Sequence, residues 1–397
     1  MGQTAACARG RAGDDLKDCG PMSAPGHTAL GAWSGGRYMH FGEALDEDRY
    51  ARLLRPDEGI HTVVTADVYG AGEADVAVGR ALAGLPRESY SLVGAVGHDF
   101  YGTERDGSKG FPRFTSPDLR GPDGYAAYLR DATERSLERC GVEHFDVLLL
   151  HNPDRVGYTS PAVWEAMAGL REAGLCNAIG VAPGPANGFT LDVIGCLERF
   201  GDVIDWAMLI LNPLEPWPGR LALPACERHG VRVLARVVDY GGLFHDDVPD
   251  EGSLGETDHR RYRAAGWVDA GRARLDELRP IADCHGLTLL QLSAVWTLAQ
   301  PAVACVAPTL IQEAGPRAKT VEAKRAELAA VPSGPVLDEA ELAAIAAIGD
   351  NTGCMKLKGA SPVHEGAERP DAWALDDELR AFGRRFGIEA ERDLVGS

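Results

Sequence analysis

The sequence predicts an α/β fold of the (β/α)8 class, a TIM barrel, and three observations lead there. From residue 28 to residue 349, short apolar or β-branched runs alternate with longer stretches of helical period, the pattern of repeated βα units around a parallel sheet. Eight such units can be counted, and their strands are almost continuously apolar, as strands covered on both faces must be. No GxGxxG follows the first strand, which disfavours an open, doubly wound sheet, since that architecture usually begins with such a loop.

In chain order the strand candidates are LGAW (30–33), GIHTVVT (59–65), YSLVGAV (90–96), FDVLLLH (145–151), CNAIGV (176–181), WAMLIL (206–211), VRVLARV (231–237) and VACVA (303–307). Helical period falls on 45–54, 73–85, 124–140, 161–172, 190–200 and 221–229, and on the paired segments 269–284 and 288–298. Three segments exceed ordinary loops: 99–122, 244–266 and 351–397. Barrel sites lie at the carboxyl ends of the strands, so the first two are expected as pocket walls or lids. Residues 1–27 read as a weakly ordered segment with Met22 as an alternative start, 28–349 as the barrel, and 350–397 as an extension folded back on it. Within the extension, WALDDELRAFGRRFGI reads as an amphipathic helix with Leu375, Leu379 and Phe382 on one face.

The 397 residues are 45% apolar and 25% charged, the composition of a folded globular protein, with a formal net charge of −19. That charge argues against a nucleic-acid partner, which needs clustered Lys and Arg, and against an anionic membrane surface. No apolar run reaches the roughly 18 to 20 residues that span a bilayer, and the first residues lack the apolar core of a secretion signal. The expected location is the cytoplasm. Nine cysteines scattered without a CxxC pair fit reduced thiols.

Strand two runs into TADVYG, strand four into DVLLLHNPD and strand five into AIGVAPG. In order and spacing these resemble the aldo-keto reductase motifs around the catalytic Tyr, the active-site His and the nicotinamide-binding turn. The resemblance covers most of residues 28–349. It implies a small-molecule carbonyl or sugar-like substrate, NADP(H) or NAD(H) as cofactor, and four strand-end groups (Asp, Tyr, Lys and His) around the carbonyl oxygen. Tyr69 falls on the catalytic Tyr and His151 on the His, whereas Val64 stands where the family has its Asp and Ala95 where it has its Lys. In the family that Lys matters because a phenol has an ordinary pKa near 10, which a neighbouring ammonium lowers by about 1 to 3, worth roughly 1.4 to 4 kcal/mol. Asp67, two residues before Tyr69, is expected to share its side of the strand and to replace part of the lost carboxylate.

On the cofactor side, Ala182 and Pro183 replace the family's Ser-Asn pair. The resemblance leaves Asn212 after strand six for the nicotinamide, and Arg317, Lys319 and Lys324 after strand eight for the adenosine phosphate. His98 and Arg236, at strand ends, and Trp33 and Trp217, on the rim, are the expected substrate-pocket residues. With neither HExxH nor a paired HxH, no metal site is expected. Two other readings stay open: a non-redox acid-base enzyme (lyase, isomerase or hydrolase) on the same barrel, which the lost Asp, Lys and Ser-Asn pair suit, and a non-catalytic binding protein.

Overall fold

The computed structural model describes residues 25–57, 59–105, 110–184 and 186–396. All but the last residues of the expected weakly ordered segment therefore lie outside the described residues. Strands β1 (Ala29–Gly31), β2 (Thr62–Val64), β3 (Ser91–Val96), β4 (Phe145–His151), β5 (Cys176–Ala182), β6 (Trp206–Ile210), β7 (Arg232–Arg236) and β8 (Val303–Ala307) pair in sequence order. Every pairing is parallel. A bridge between Thr28 and Val306 joins the end of the sheet to its beginning, and the predicted barrel is the observed one. The second strand is shorter than read from the sequence, because Asp57 Oδ1 accepts from the backbone N–H groups of Gly59 and Ile60 and turns that segment out of the ladder.

Helices α1 (Glu47–Leu54), α2 (Glu73–Leu82), α3 (Tyr125–Cys140), α4 (Arg155–Thr159), α5 (Pro161–Glu172), α6 (Thr190–Phe200), α7 (Leu223–Arg228), α8 (Trp267–Cys284), α9 (Leu289–Leu298), α10 (Val321–Ala329) and α11 (Glu339–Ile348) surround the sheet. Helix α4 has no counterpart in the sequence reading: its 5 residues are too few to show a period, and it is set by Asp154 capping Gly157 N. Outward strand residues such as Leu30, Val63, Leu92, Leu148, Leu150 and Ile179 pack in the cluster shared with the helices. Val64, Val93, Ala95, Val147, Leu149, Ala178, Trp206, Met208, Leu234 and Cys305 fill the barrel. The pleat has period two, so the next inward positions above Leu149 and Leu234 are His151 and Arg236, both at the carboxyl-end mouth.

Both long loops fold back on that mouth. The segment after β3 returns through an antiparallel bridge between His98 and Arg113 and is fastened by Arg120 to Asp99. The segment after β7 is held by Arg260, which pairs with Asp258 and with Glu313 beyond β8. Past α11, strands β9 (Gly359–Ser361) and β10 (Ala372–Ala374) pair, and α12 (Asp377–Arg385) and α13 (Ala390–Asp393) follow. Leu379 and Phe382 of α12 lie against Gly195 of α6, and Trp373 Nε1 donates to Asp192 Oδ1 at 3.0 Å. Leu375, Leu379 and Phe382 are all buried, with Leu375 ahead of the helix because Asp376 caps it. Among the described residues no helix is long and apolar enough to cross a membrane.

Candidate active site

Three aromatic side chains meet at the barrel mouth. Tyr69 opens the turn after β2, its N–H bonded to Ala66 O at 3.0 Å. Its ring stands edge to face with His151, centroids 5.7 Å apart, and His151 stands edge to face with His98 at 5.2 Å. Burial pushes the Tyr69 phenol up to about 12, opposed by the positive charge of Arg236. Burial, and then the charges of Arg113 and Arg236, push His151 down to about 3, so at neutral pH the site holds a protonated phenol and an uncharged imidazole. His151 Nδ1 is buried without a partner. His98, pushed down by burial and by Arg113, is built into the wall, its Nδ1 3.0 Å from Phe111 O and its Nε2 3.0 Å from the Asn152 amide nitrogen.

Asp67 is not beside Tyr69. Because β2 ends at Val64, strand alternation does not carry through to residue 69. Asp67 instead faces the helix layer, where Tyr101 Oη donates to it at 3.4 Å. Burial and the neighbouring Asp75 raise its pKa well above the usual carboxylate range. Asp75 is held by Thr65, Ser136 and Arg139. The positions of the family's Asp and Lys, Val64 and Ala95, lie in the apolar barrel filling with Val93, Val147 and Leu149. Among the described residues no carboxylate and no ammonium replaces them in that filling.

The cations of the mouth come from elsewhere. Arg236, from β7, donates through Nη2 to Pro183 O and Gly184 O, at 3.3 and 2.5 Å. Arg113 was not foreseen from the sequence. Its Nε donates to Asn152 O at 2.5 Å and its Nη1 to Phe111 O at 3.3 Å. The one sequence signal nearby is Asn152 itself, an Asn directly after the strand-end His, with φ of 48°, a left-handed conformation Asn tolerates better than most residues.

Other expected residues are placed differently. Trp33 is buried just past β1 with its indole over Gly31, in the barrel-filling cluster against which Tyr69 packs. Trp217 belongs to the C-terminal contact, with its indole N–H on Asp393 O at 3.0 Å and its backbone bracketed by Asn351, and does not line the site of Tyr69. The Asn212 amide is consumed internally: Nδ2 donates to Val237 O at 2.9 Å and Oδ1 accepts from Leu214 N at 2.9 Å. Lys324 is fully buried and donates to Asp247 and to Ile311 O, so it is withdrawn from any phosphate. Lys319 is partly exposed and paired with Glu327 at 2.9 Å, and Arg317 is exposed. Among the described residues, no group of three or more His, Cys, Asp or Glu is placed to hold a metal ion.

The model of the Aldo/keto reductase family matches residues 29–316. A probable aldo-keto reductase 1 from Glycine max is 27% identical over 252 residues, 61% of this chain and 65% of that protein. A probable voltage-gated potassium channel subunit beta from Arabidopsis thaliana is 24% identical over 70% of this chain and 81% of its own. Among solved structures, a glycerol dehydrogenase from Gluconobacter oxydans superposes with a TM-score of 0.61 at 25% identity, covering 81% of this chain and 90% of that one.

Proposed function

The chain belongs to the aldo/keto reductase family, and from that premise we propose that it is an NADP-linked oxidoreductase interconverting a small carbonyl or sugar-like compound and its alcohol. Tyr69 is the proton donor and His151 orients the carbonyl. The observation that carries this reading is the edge-to-face pair of Tyr69 and His151 at the carboxyl-end mouth, where barrel enzymes hold their chemistry.

The residues fit a phosphate-bearing cofactor at one end. Arg317 and Lys319, on the loop before α10, are basic and reachable, and these two would hold it in place of the four residues expected. Bound there, the reduced nicotinamide supplies the hydride. The chain supplies the rest. His151, uncharged because of burial and its two cationic neighbours, donates a hydrogen bond to a carbonyl oxygen without competing for the proton. Tyr69, kept protonated by burial, gives its phenolic proton to that oxygen and takes one back from water. Arg236 is the charge that favours the transient phenolate, the service an ammonium on strand three performs elsewhere in the family. The apolar floor of Val64 and Ala95 gives no such help, which predicts a slower proton transfer than four intact groups would give.

Tyr69→Phe tests the assignment. A loss of roughly 10²- to 10⁴-fold in kcat is expected for a missing general acid, with the Kd for NADPH unchanged. An unaltered kcat would remove Tyr69 from the chemistry.

A further inference from the structure

The two guanidinium groups of the mouth are unlike other inward arginines of the molecule. Arg260 pairs with Asp258 and Glu313, Arg139 with Asp75, and Arg263 with Glu215. Arg113 and Arg236 meet no carboxylate among the described residues: apart from a contact of Arg113 with His98, their polar partners are the carbonyl oxygens of Phe111, Asn152, Pro183 and Gly184. The nearest acids are already engaged. Asp154 takes Thr115 Oγ1 and Gly157 N, and Glu215 takes Asn187 and Arg263. Arg113 is only 8% exposed, whereas Arg236 is partly exposed at the mouth. Carbonyl dipoles orient a guanidinium but leave its charge whole, and a desolvated charge without a counter-ion is costly.

The two arginines are brought to neighbouring strand ends: Arg113 holds Asn152 O, Asn152 N donates to Ala182 O at 2.7 Å, and Arg236 holds the next two carbonyls of that strand end, Pro183 O and Gly184 O. Two guanidinium groups without a carboxylate at adjoining strand ends form a polar set that lacks one member, and that member is an anion. The fork of an arginine matches a carboxylate in both geometry and charge.

We propose that Arg113 and Arg236 form an anion site in the barrel mouth that takes a carboxylate carried by the substrate, so that the carbonyl compound presented to Tyr69 and His151 is an oxo acid. This rests on the reductase reading for the carbonyl, but the anion site is measurable without it. It also gives the arginine pair a task distinct from the cofactor contacts at Arg317 and Lys319.

Calorimetric titration of the full chain without nucleotide, using benzoate against its neutral isostere benzamide, is the test. Benzoate is expected to bind at least 10-fold more tightly than benzamide, and Arg236→Met, which gives up only two carbonyl contacts, is expected to abolish that preference. Arg113→Met is the second variant, with circular dichroism confirming its fold. Equal affinity for the two probes, or a preference that survives in Arg236→Met, overturns the proposal. So does direct competition of benzoate with ADP, which would assign the arginines to a nucleotide diphosphate. Phenylglyoxylate and acetophenone with NADPH separate the two readings. Arginine-dependent benzoate binding without reduction of either ketone leaves the anion site standing and removes the reductase; reduction of both at equal kcat/KM does the reverse.

Discussion

An imidazole that never charges is a dependable hydrogen-bond donor, and His151 is held in that state by burial and by Arg113 and Arg236, its pKa pushed down to about 3. In the unfolded chain the same group takes a proton below about 6.5, so between about 3 and 6.5 the unfolded state binds more protons and this residue's contribution to stability rises with pH, by at most about 1.4 kcal/mol per pH unit. The Asp192 carboxyl, pushed up to about 6 by burial, acts in the opposite sense below that pH. Urea unfolding at pH 5 and at pH 7 should therefore show His151→Gln losing about 2 kcal/mol of the wild-type stability difference; an identical difference in the variant would mean His151 titrates normally. The apolar floor makes a second residue-scale prediction. Ala95→Lys alone would bury an ammonium among Val64, Val93 and Leu149 and cost roughly 3 to 5 kcal/mol, while Val64→Asp added to it should recover part of that loss. If the double variant is no more stable than the single one, the two positions do not face each other as the barrel pleat requires. Tyr69 and His151 each lie in a motif of their own, one in the turn after β2 and one ending β4, and the structure brings their rings together. Asp67, Asn212 and Lys324 were misread because a sequence shows a polar group but not the partner that uses it up: Tyr101, Val237 and Asp247 claim these three.

Strands were the most legible elements, since a run covered on both faces must be apolar throughout, and all eight were placed in order. Their ends were less so, because a local turn such as the one Asp57 makes with Gly59 and Ile60 decides where pairing starts. Loops hid the most. Arg113 reaches the mouth only because its segment pairs back onto His98, a contact with no periodic signature. The loop after β7 depends on a similar fastening, the buried Arg260 bound to Asp258 and Glu313. Glu313→Ala leaves that guanidinium with half its counter-charge and should cost roughly 3 to 5 kcal/mol, with new proteolytic cleavage confined to 244–266. Unchanged resistance to protease would show that the ion pairs do not hold the loop.

At the scale of the molecule, a chain of formal charge −19 concentrates two unpaired arginines at one end of its barrel, and its C-terminal extension braces the same end. Gly188, with φ of 117°, approaches the Lys358 backbone so closely that a Cβ would collide with it, and the two residues are bridged. Gly188→Ala should lower Tm by several degrees, as about 1 to 3 kcal/mol of strain would, and should weaken benzoate binding, because the same loop offers Pro183 and Gly184 to Arg236. A wild-type melting curve would mean the extension is not anchored there. As proposed, this mouth moves a hydride to a carbonyl carbon while Tyr69 delivers the proton. The most direct measurement uses NADPH deuterated at the transferable position of the nicotinamide, with phenylglyoxylate as acceptor and mass spectrometry of the product. One deuterium on the carbinol carbon, formed by the wild type and nearly absent with Tyr69→Phe, is the predicted result, whereas an unlabelled product, or equal labelling by the two proteins, would contradict it.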